Sequence, residues 1–70
     1  MKKYLIKRTA IINGIKEVSY IGNDCCLYDE INKFTPLQFI NNKNTAKAIL
    51  NRFFYGSLNC KVLNIEIIEI

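Results

Sequence analysis

The stretch Asn44-Thr-Ala-Lys-Ala-Ile-Leu-Asn-Arg-Phe-Phe-Tyr-Gly56 decides the fold, because its spacing predicts an amphipathic helix. Its apolar positions recur at i, i+3, i+4, i+7 and i+8, as one stripe of an α-helix does: Ala46, Ile49, Leu50, Phe53 and Phe54. Asn44 or Thr45 is expected to cap the first turn, and Gly56 to end the helix in the left-handed conformation. Because a helix of this length is marginal by itself, the sequence predicts that its stripe packs on a sheet.

The first third of the chain predicts a β-hairpin for that sheet. Residues 3–12 alternate imperfectly, Asn13-Gly14 is a strong turn signal, and residues 15–22 resemble a returning strand. A type I′ turn would pair Ile12 with Ile15, whereas a three-residue loop with only Gly14 left-handed pairs Ile11 with Ile15. We expect the second register, because it places these residues together under the helix: Tyr4, Ile6, Ala10, Val18 and Tyr20. It places on the opposite face Lys7, Thr9, Glu17 and Ser19.

One side chain, Arg8, does not fit this separation, and we expect its stem to lie along the sheet edge. After the hairpin, residues 25–28 predict either a short strand or a turn. Residues 29–34 predict one helical turn that directs Ile31 and Phe34 inward. Thr35 must be extended before Pro36, and residues 37–40 predict a brief strand.

The C-terminal residues 61–70 predict a strand, since Leu63, Ile65 and Ile67 alternate with polar residues and neither Gly nor Pro interrupts them. No internal repeat or linker divides the chain. The sequence therefore predicts a single α+β domain over residues 1–70. An antiparallel hairpin and a C-terminal strand form a small sheet, with one amphipathic helix on one face, in the order ββ-(short β or turn)-αβ.

Composition argues against catalysis. The 70 residues include no His, which removes the commonest general base and metal ligand. Three cysteines without a fourth ligand at Cys-x-x-Cys spacing predict no metal site, and the absence of a glycine-rich phosphate loop predicts no cofactor. The odd cysteine count, without a signal peptide or a long apolar run, predicts a reduced cytoplasmic protein that does not enter a membrane.

Three groups of residues have both a functional and a plainer interpretation. Asp24, Asp29 and Glu30 are an acidic cluster or simply turn and cap residues, and the plainer interpretation is favoured. Cys25 and Cys26 are a redox pair or small apolar residues in a corner, and again the second is favoured. The tyrosines are base-stacking residues or core, with core favoured for two of the four that occur: Tyr4, Tyr20, Tyr28 and Tyr55.

Two surfaces are candidates for binding. The net charge of +4 suggests a basic surface for nucleic acid or an acidic protein, with these members: Lys2, Lys3, Lys7, Lys47 and Arg52. Apolar residues at the ends of the face opposite the helix predict an interface: Leu5, Ile11, Ile15, Ile21, Val62, Ile68 and Ile70. We expect a two-fold homodimer through that face or through the free edge of the last strand. A foreign target, or the connection at residues 25–34, is the alternative occupant.

Several short segments together carry a resemblance that spans nearly the whole chain. They are Asn13-Gly14, Asp29-Glu30-Ile31, Phe39 before a polar loop, Thr45-Ala46 with Ile49 and Leu50, and Ile65-Glu66-Ile67-Ile68-Glu69. In this order they resemble very short phage-encoded proteins of low-GC bacteria, among which are anti-CRISPR and other anti-defence inhibitors. The resemblance implies a non-catalytic binder of a host protein in the bacterial cytoplasm. The alternative is a small basic nucleic-acid-binding accessory protein.

Overall fold

The computed structural model describes residues 2–70, which form a four-stranded antiparallel sheet with one helix packed on it. The strands are β1 (Tyr4–Ile12), β2 (Ile15–Ile21), β3 (Leu27–Tyr28) and β4 (Cys60–Glu69), in the spatial order β3-β2-β1-β4. Helix α1 spans Lys43–Phe53, and 3₁₀ turns lie at Ile31–Lys33 and Pro36–Gln38. The predicted α+β class, with hairpin, C-terminal strand and single helix, is confirmed. Within residues 2–70, no helix has the length and apolar character needed to cross a bilayer.

The predicted register of the hairpin is wrong. Ile12 pairs directly with Ile15, and both turn residues are left-handed, with φ of 51° at Asn13 and 82° at Gly14. This is the geometry of a type I′ turn, whose twist matches that of the flanking strands and which Asn tolerates. A shift of one residue reverses every side chain of β2. Val18 and Tyr20 therefore lie on the face away from the helix.

The two faces of the sheet follow from this register. The helix-side face carries the even-numbered residues of β1, and Glu17 and Ser19 of β2 lie on it, contrary to expectation. The far face carries the odd-numbered residues of β1, including Lys7 and Thr9 as predicted. On the helix-side face the buried core consists of Ile6, Ile21, Ile40, Ala46 and Ile49. These residues lie at the end of the sheet away from the hairpin turn, so the helix covers only half of its face. The polar residues of β2 are tolerated because they lie beyond its reach.

The connection between β2 and α1 covers part of the far face. Phe34 is buried there as predicted, its ring 4.6 Å from Tyr28 and 6.2 Å from Phe39, and Leu5 is completely buried. Ile31 is 37% exposed and does not enter the core. The brief strand expected at residues 37–40 is also wrong, because Pro36 begins a 3₁₀ turn. Only Ile40 bridges to Tyr4, through backbone hydrogen bonds of 2.8 and 3.0 Å.

Both ends of the helix differ from the prediction by a few residues. The N-cap is Asn42, whose Oδ1 accepts a hydrogen bond of 2.7 Å from the N–H of Asn44. The helix ends at Phe53, and Gly56 does not have the left-handed conformation. Gly56 is instead required by a close approach, since a Cβ there would overlap the carbonyl oxygen of Cys60. The pattern located the helix, but the caps depend on the loops that flank it.

Candidate functional site

Three very exposed apolar side chains lie at the hairpin end of the molecule. Ile15 is 65% exposed, Tyr55 78% and Leu58 98%, and we call them the hairpin-end patch. Ile15 begins β2 directly after the turn, while Tyr55 and Leu58 belong to the loop between α1 and β4. Ile15 stays exposed because the core beneath the helix lies at the other end of the sheet.

The loop that carries Leu58 is held in place by the backbone. The N–H of Asn13 donates to the carbonyl oxygen of Asn59 over 2.9 Å, which ties the loop to the hairpin turn. Ser57 and Cys60 exchange backbone hydrogen bonds of 2.9 and 3.1 Å. Leu58 also lines an open cavity of about 370 Å³ with Gly14 of the turn and with Ile11 and Lys61, whose side chains lie on the face of the sheet away from the helix. The loop that carries Tyr55 and Leu58 is therefore fixed to the hairpin and to β4 by backbone hydrogen bonds.

Arg8 lies beside this end of the sheet in an unexpected environment. It belongs to the central strand β1 rather than an edge, and only 8% of it is exposed, so the expectation that its stem follows the sheet edge is wrong. Its Nη2 donates to Cys60 Sγ over 3.1 Å, while its Nε has no partner among the described residues.

A groove runs along β4 next to the end of the helix. Phe54, Val62, Leu63 and Ile65 line a cavity of about 190 Å³ there. The strand is irregular at this point, because Thr9 pairs with Asn64 while Ala10 pairs with Val62, which makes Leu63 a bulge. Leu63 is 46% exposed as a result.

The far face is partly basic where the connection leaves it open. On this face, residues of β2, β1 and β4 lie side by side in three rows. Counted from the hairpin turn, the rows are Lys16, Ile11 and Lys61, then Val18, Thr9 and Asn64, then Tyr20, Lys7 and Glu66. Tyr20, expected in the core, is half-buried on this face opposite Tyr28. The predicted basic surface did not include Lys16 and Lys61. The face on which Lys16 lies depends on the hairpin register, and that of Lys61 depends on the bulge in β4.

The structure does not bring the residues of the predicted basic surface together. Lys47 and Arg52 lie on α1, on the other side of the sheet from Lys7. Lys2 Nζ is 3.9 Å from Glu69 Oε1, and Lys3 Nζ lies 5.6 Å from the centre of the Phe39 ring. The charges are therefore distributed over two sides of the molecule.

The predicted apolar interface is not one surface either. Leu5 and Ile21 are completely buried, Leu5 on the far face that the connection covers and Ile21 beneath the helix. The other members are divided between the two faces and the chain end: Ile11 and Ile68 on the far face, Ile15 and Val62 on the helix-side face, and Ile70 after β4. Tyr55 and Leu58 were missed because a loop has no periodic pattern that would reveal an exposed apolar residue.

The acidic residues of the connection act as turn residues. Asp24 accepts hydrogen bonds from Cys26 N–H (3.2 Å), Tyr28 Oη (2.8 Å) and Gln38 Nε2 (2.9 Å). Desolvation acts to raise the pKa of Asp24, but these hydrogen bonds together outweigh it and hold the pKa below its ordinary value of 3.8. Asp29 pairs instead with Lys33 at 2.6 Å. Within residues 2–70, no group of acidic residues and cysteines is arranged to hold a metal ion.

The adjacent cysteines belong to the same turn. Cys25 is left-handed, with φ of 60°, and packs half-buried against the core, whereas Cys26 is exposed. Both thiols are free, as is that of Cys60. The packing of Cys25 agrees with the interpretation as a small apolar corner residue, whereas the exposure of Cys26 does not.

The Asp24 network predicts a pH dependence of stability. A carboxylate whose pKa is lower in the folded state stabilises the fold above its unfolded pKa, and this contribution is lost as the pH falls through the folded pKa. We therefore expect the thermal midpoint to fall below about pH 4, and to fall less in Asp24→Asn. Thermal unfolding followed by circular dichroism from neutral to acidic pH tests this. Identical pH profiles for the two proteins would contradict it.

In comparison with known proteins, no family model, no curated protein and no solved structure matches this chain.

Proposed function

We propose that the protein is a non-catalytic protein-binding module that docks on its partner through the hairpin-end patch. The observation that carries this proposal is the exposure of Ile15, Tyr55 and Leu58 at one end of a small domain. These side chains surround the hairpin end, with Ile15 on the helix-side face and Leu58 beside Ile11 and Lys61 of the far face. Exposed large apolar side chains suit an interaction site, and a tyrosine combines a large apolar area with a polar tip. The patch can bury these side chains only against another molecule.

The hydrogen-bonded loop between α1 and β4 favours tight binding. The hydrogen bonds from Asn13 to Asn59 and between Ser57 and Cys60 hold the backbone of the loop before any partner arrives. A surface that is already ordered loses less conformational entropy on association. The net charge of +4 adds attraction to an acidic partner.

The biological setting comes from the resemblance to small phage proteins. We infer that the partner is a bacterial defence or regulatory protein in the host cytoplasm, which this protein inhibits by occupying its surface, as anti-CRISPR proteins do. Inhibition by occupancy requires no catalytic group in the inhibitor.

A matched pair of substitutions tests the role of the patch. Leu58 is 98% exposed and Leu37, on the connection, is 90% exposed, so neither contributes much to folding. Leu58→Asp places a charge in the patch and is expected to weaken binding to the captured host protein at least about tenfold, the effect of losing roughly 1.4 kcal/mol. Leu37→Asp is expected to bind like the wild type. The measurement is affinity capture from a host lysate, followed by titration of the purified partner. Equal affinity of the two variants would contradict the proposal.

A second candidate function, single-stranded nucleic-acid binding, is favoured by the far face. Tyr20 lies there with Lys7, Lys16 and Lys61, an aromatic residue among cations. Against it, Asp29 and Glu30 line the cavity beside Tyr20 and would repel phosphate. The same titration at rising salt separates the two functions. Binding that neutralises several phosphates weakens steeply with salt, whereas binding through an apolar patch does not.

A further inference from the structure

We propose that two copies of this chain form a two-fold dimer by pairing the outer edges of their β4 strands. This surface is separate from the hairpin-end patch. The N–H of Ile70 donates to the carbonyl oxygen of Lys3 over 2.8 Å, so the even-numbered residues at this end of β4 face β1. Backbone groups alternate in direction along a strand, and those of Ile65, Ile67 and Glu69 therefore point outward. In the described sheet, β4 pairs with β1 alone.

Apart from the bulge at Leu63, this edge has few of the features that keep an edge strand from pairing. The strand is ten residues long, contains no Pro, and carries its only Lys at position 61 near its start. The opposite edge of the sheet is shorter and better protected, since β3 covers the end of β2 at Tyr20 and Ile21. A long open strand of β-branched residues is a template for another strand.

The side chains of β4 are complementary to themselves in one antiparallel register. A two-fold axis at Glu66 would place two carboxylates opposite each other, and an axis at Ile67 would place Glu69 opposite Ile65. An axis at Ile65 avoids both arrangements. Glu66 then lies opposite the partner's Asn64. On the far face its diagonal neighbours are the partner's Lys61, which the bulge at Leu63 brings onto that face, and the partner's Glu66, so symmetry provides two attractive charge pairs against one repulsive pair. This net complementarity favours a second copy over a foreign strand as the occupant.

The groove beside Phe54 supports the same arrangement. With the axis at Ile65, Ile67 of each copy faces the bulge around the partner's Leu63. The two grooves, each about 190 Å³, then lie beside the axis on the same side of a continuous sheet. Leu63, 46% exposed in one copy, becomes covered in the pair.

Sedimentation at tens of micromolar tests whether the dimer forms. We expect a mass twice that of the 8.1 kDa chain. Glu66→Lys and Lys61→Glu are each expected to weaken the dimer about tenfold, since each turns two attractive pairs into repulsive ones. The double variant restores opposite charges and is expected to recover the dimer. Circular dichroism confirms that each variant remains folded.

Amide hydrogen exchange locates the interface without any substitution. The outward N–H groups of Ile65 and Ile67 should exchange rapidly in dilute protein and become protected as the dimer forms. The inward N–H groups of Glu66 and Ile68 should be protected at both concentrations, because they bond to β1. A mass of 8.1 kDa throughout, or a dimer in which Ile65 and Ile67 still exchange rapidly, would overturn the proposal. Protection that appears only with a bound host protein would assign the edge to a foreign strand instead.

Discussion

Replacing Ile6 with Ala is expected to unfold most of the protein. Ile6 is completely buried in the central strand, between Ile21 and Ile67 of the neighbouring strands and under the helix. Truncating a buried Ile to Ala costs about 2–5 kcal/mol, because it removes apolar contacts and leaves a cavity. A core of this size rarely supplies more than about 3–5 kcal/mol of net stability. Urea denaturation followed by circular dichroism measures the loss.

Lys47→Ala is the control for this experiment, because Lys47 is exposed on the same helix that covers Ile6. Its removal should change the free energy of unfolding by less than about 0.5 kcal/mol. Phe53 belongs to the stripe that predicted the helix but is only half-buried, so we expect Phe53→Ala to cost less than Ile6→Ala. Similar midpoints for Ile6→Ala and Lys47→Ala would show that the core lies elsewhere.

Replacing Gly22 with Ala is expected to produce the second large loss of stability. The new Cβ would lie 2.7 Å from Cε1 of Phe34 and would overlap the carbonyl oxygen of Gln38. Neither neighbour moves easily, since Phe34 is buried and the Gln38 oxygen accepts a hydrogen bond of 2.7 Å from Asn23. Overpacking a site that cannot relax costs about 3 kcal/mol. We expect a lower urea midpoint together with exposure of the aromatic residues on the far face.

The matched control is Gly14→Ala, because a Cβ on Gly14 has open space around it. Its cost comes only from the left-handed backbone, with φ of 82°, and should be about 1 kcal/mol. The two substitutions are chemically identical, so the difference between them measures the close packing at Gly22. If Gly14→Ala were the more destabilising change, the packing of the connection on β2 would be different from that described here.

Local patterns in the sequence were sufficient to predict the elements and the fold class. The stripe from Ala46 to Phe53 predicted α1, and the alternation around Ile65 and Ile67 predicted β4, because both periods are properties of a single segment. Asn13-Gly14 likewise predicted the position of the hairpin turn. Each of these signals depends on residues that are neighbours in the chain.

Only the tertiary structure decided which surfaces those elements present. The register of the hairpin was predicted by assuming that the helix covers a whole face of the sheet, but the helix covers half, so Glu17 and Ser19 can lie on its side and Tyr20 on the other. A one-residue change in turn geometry then reversed β2, and with it the basic and apolar surfaces. The burial of Arg8 and Leu5 and the exposure of Leu58 depend on contacts between segments far apart in the chain. No periodicity within one segment encodes such contacts, which is why the sequence determined the architecture of this protein and the packing determined its candidate binding surfaces.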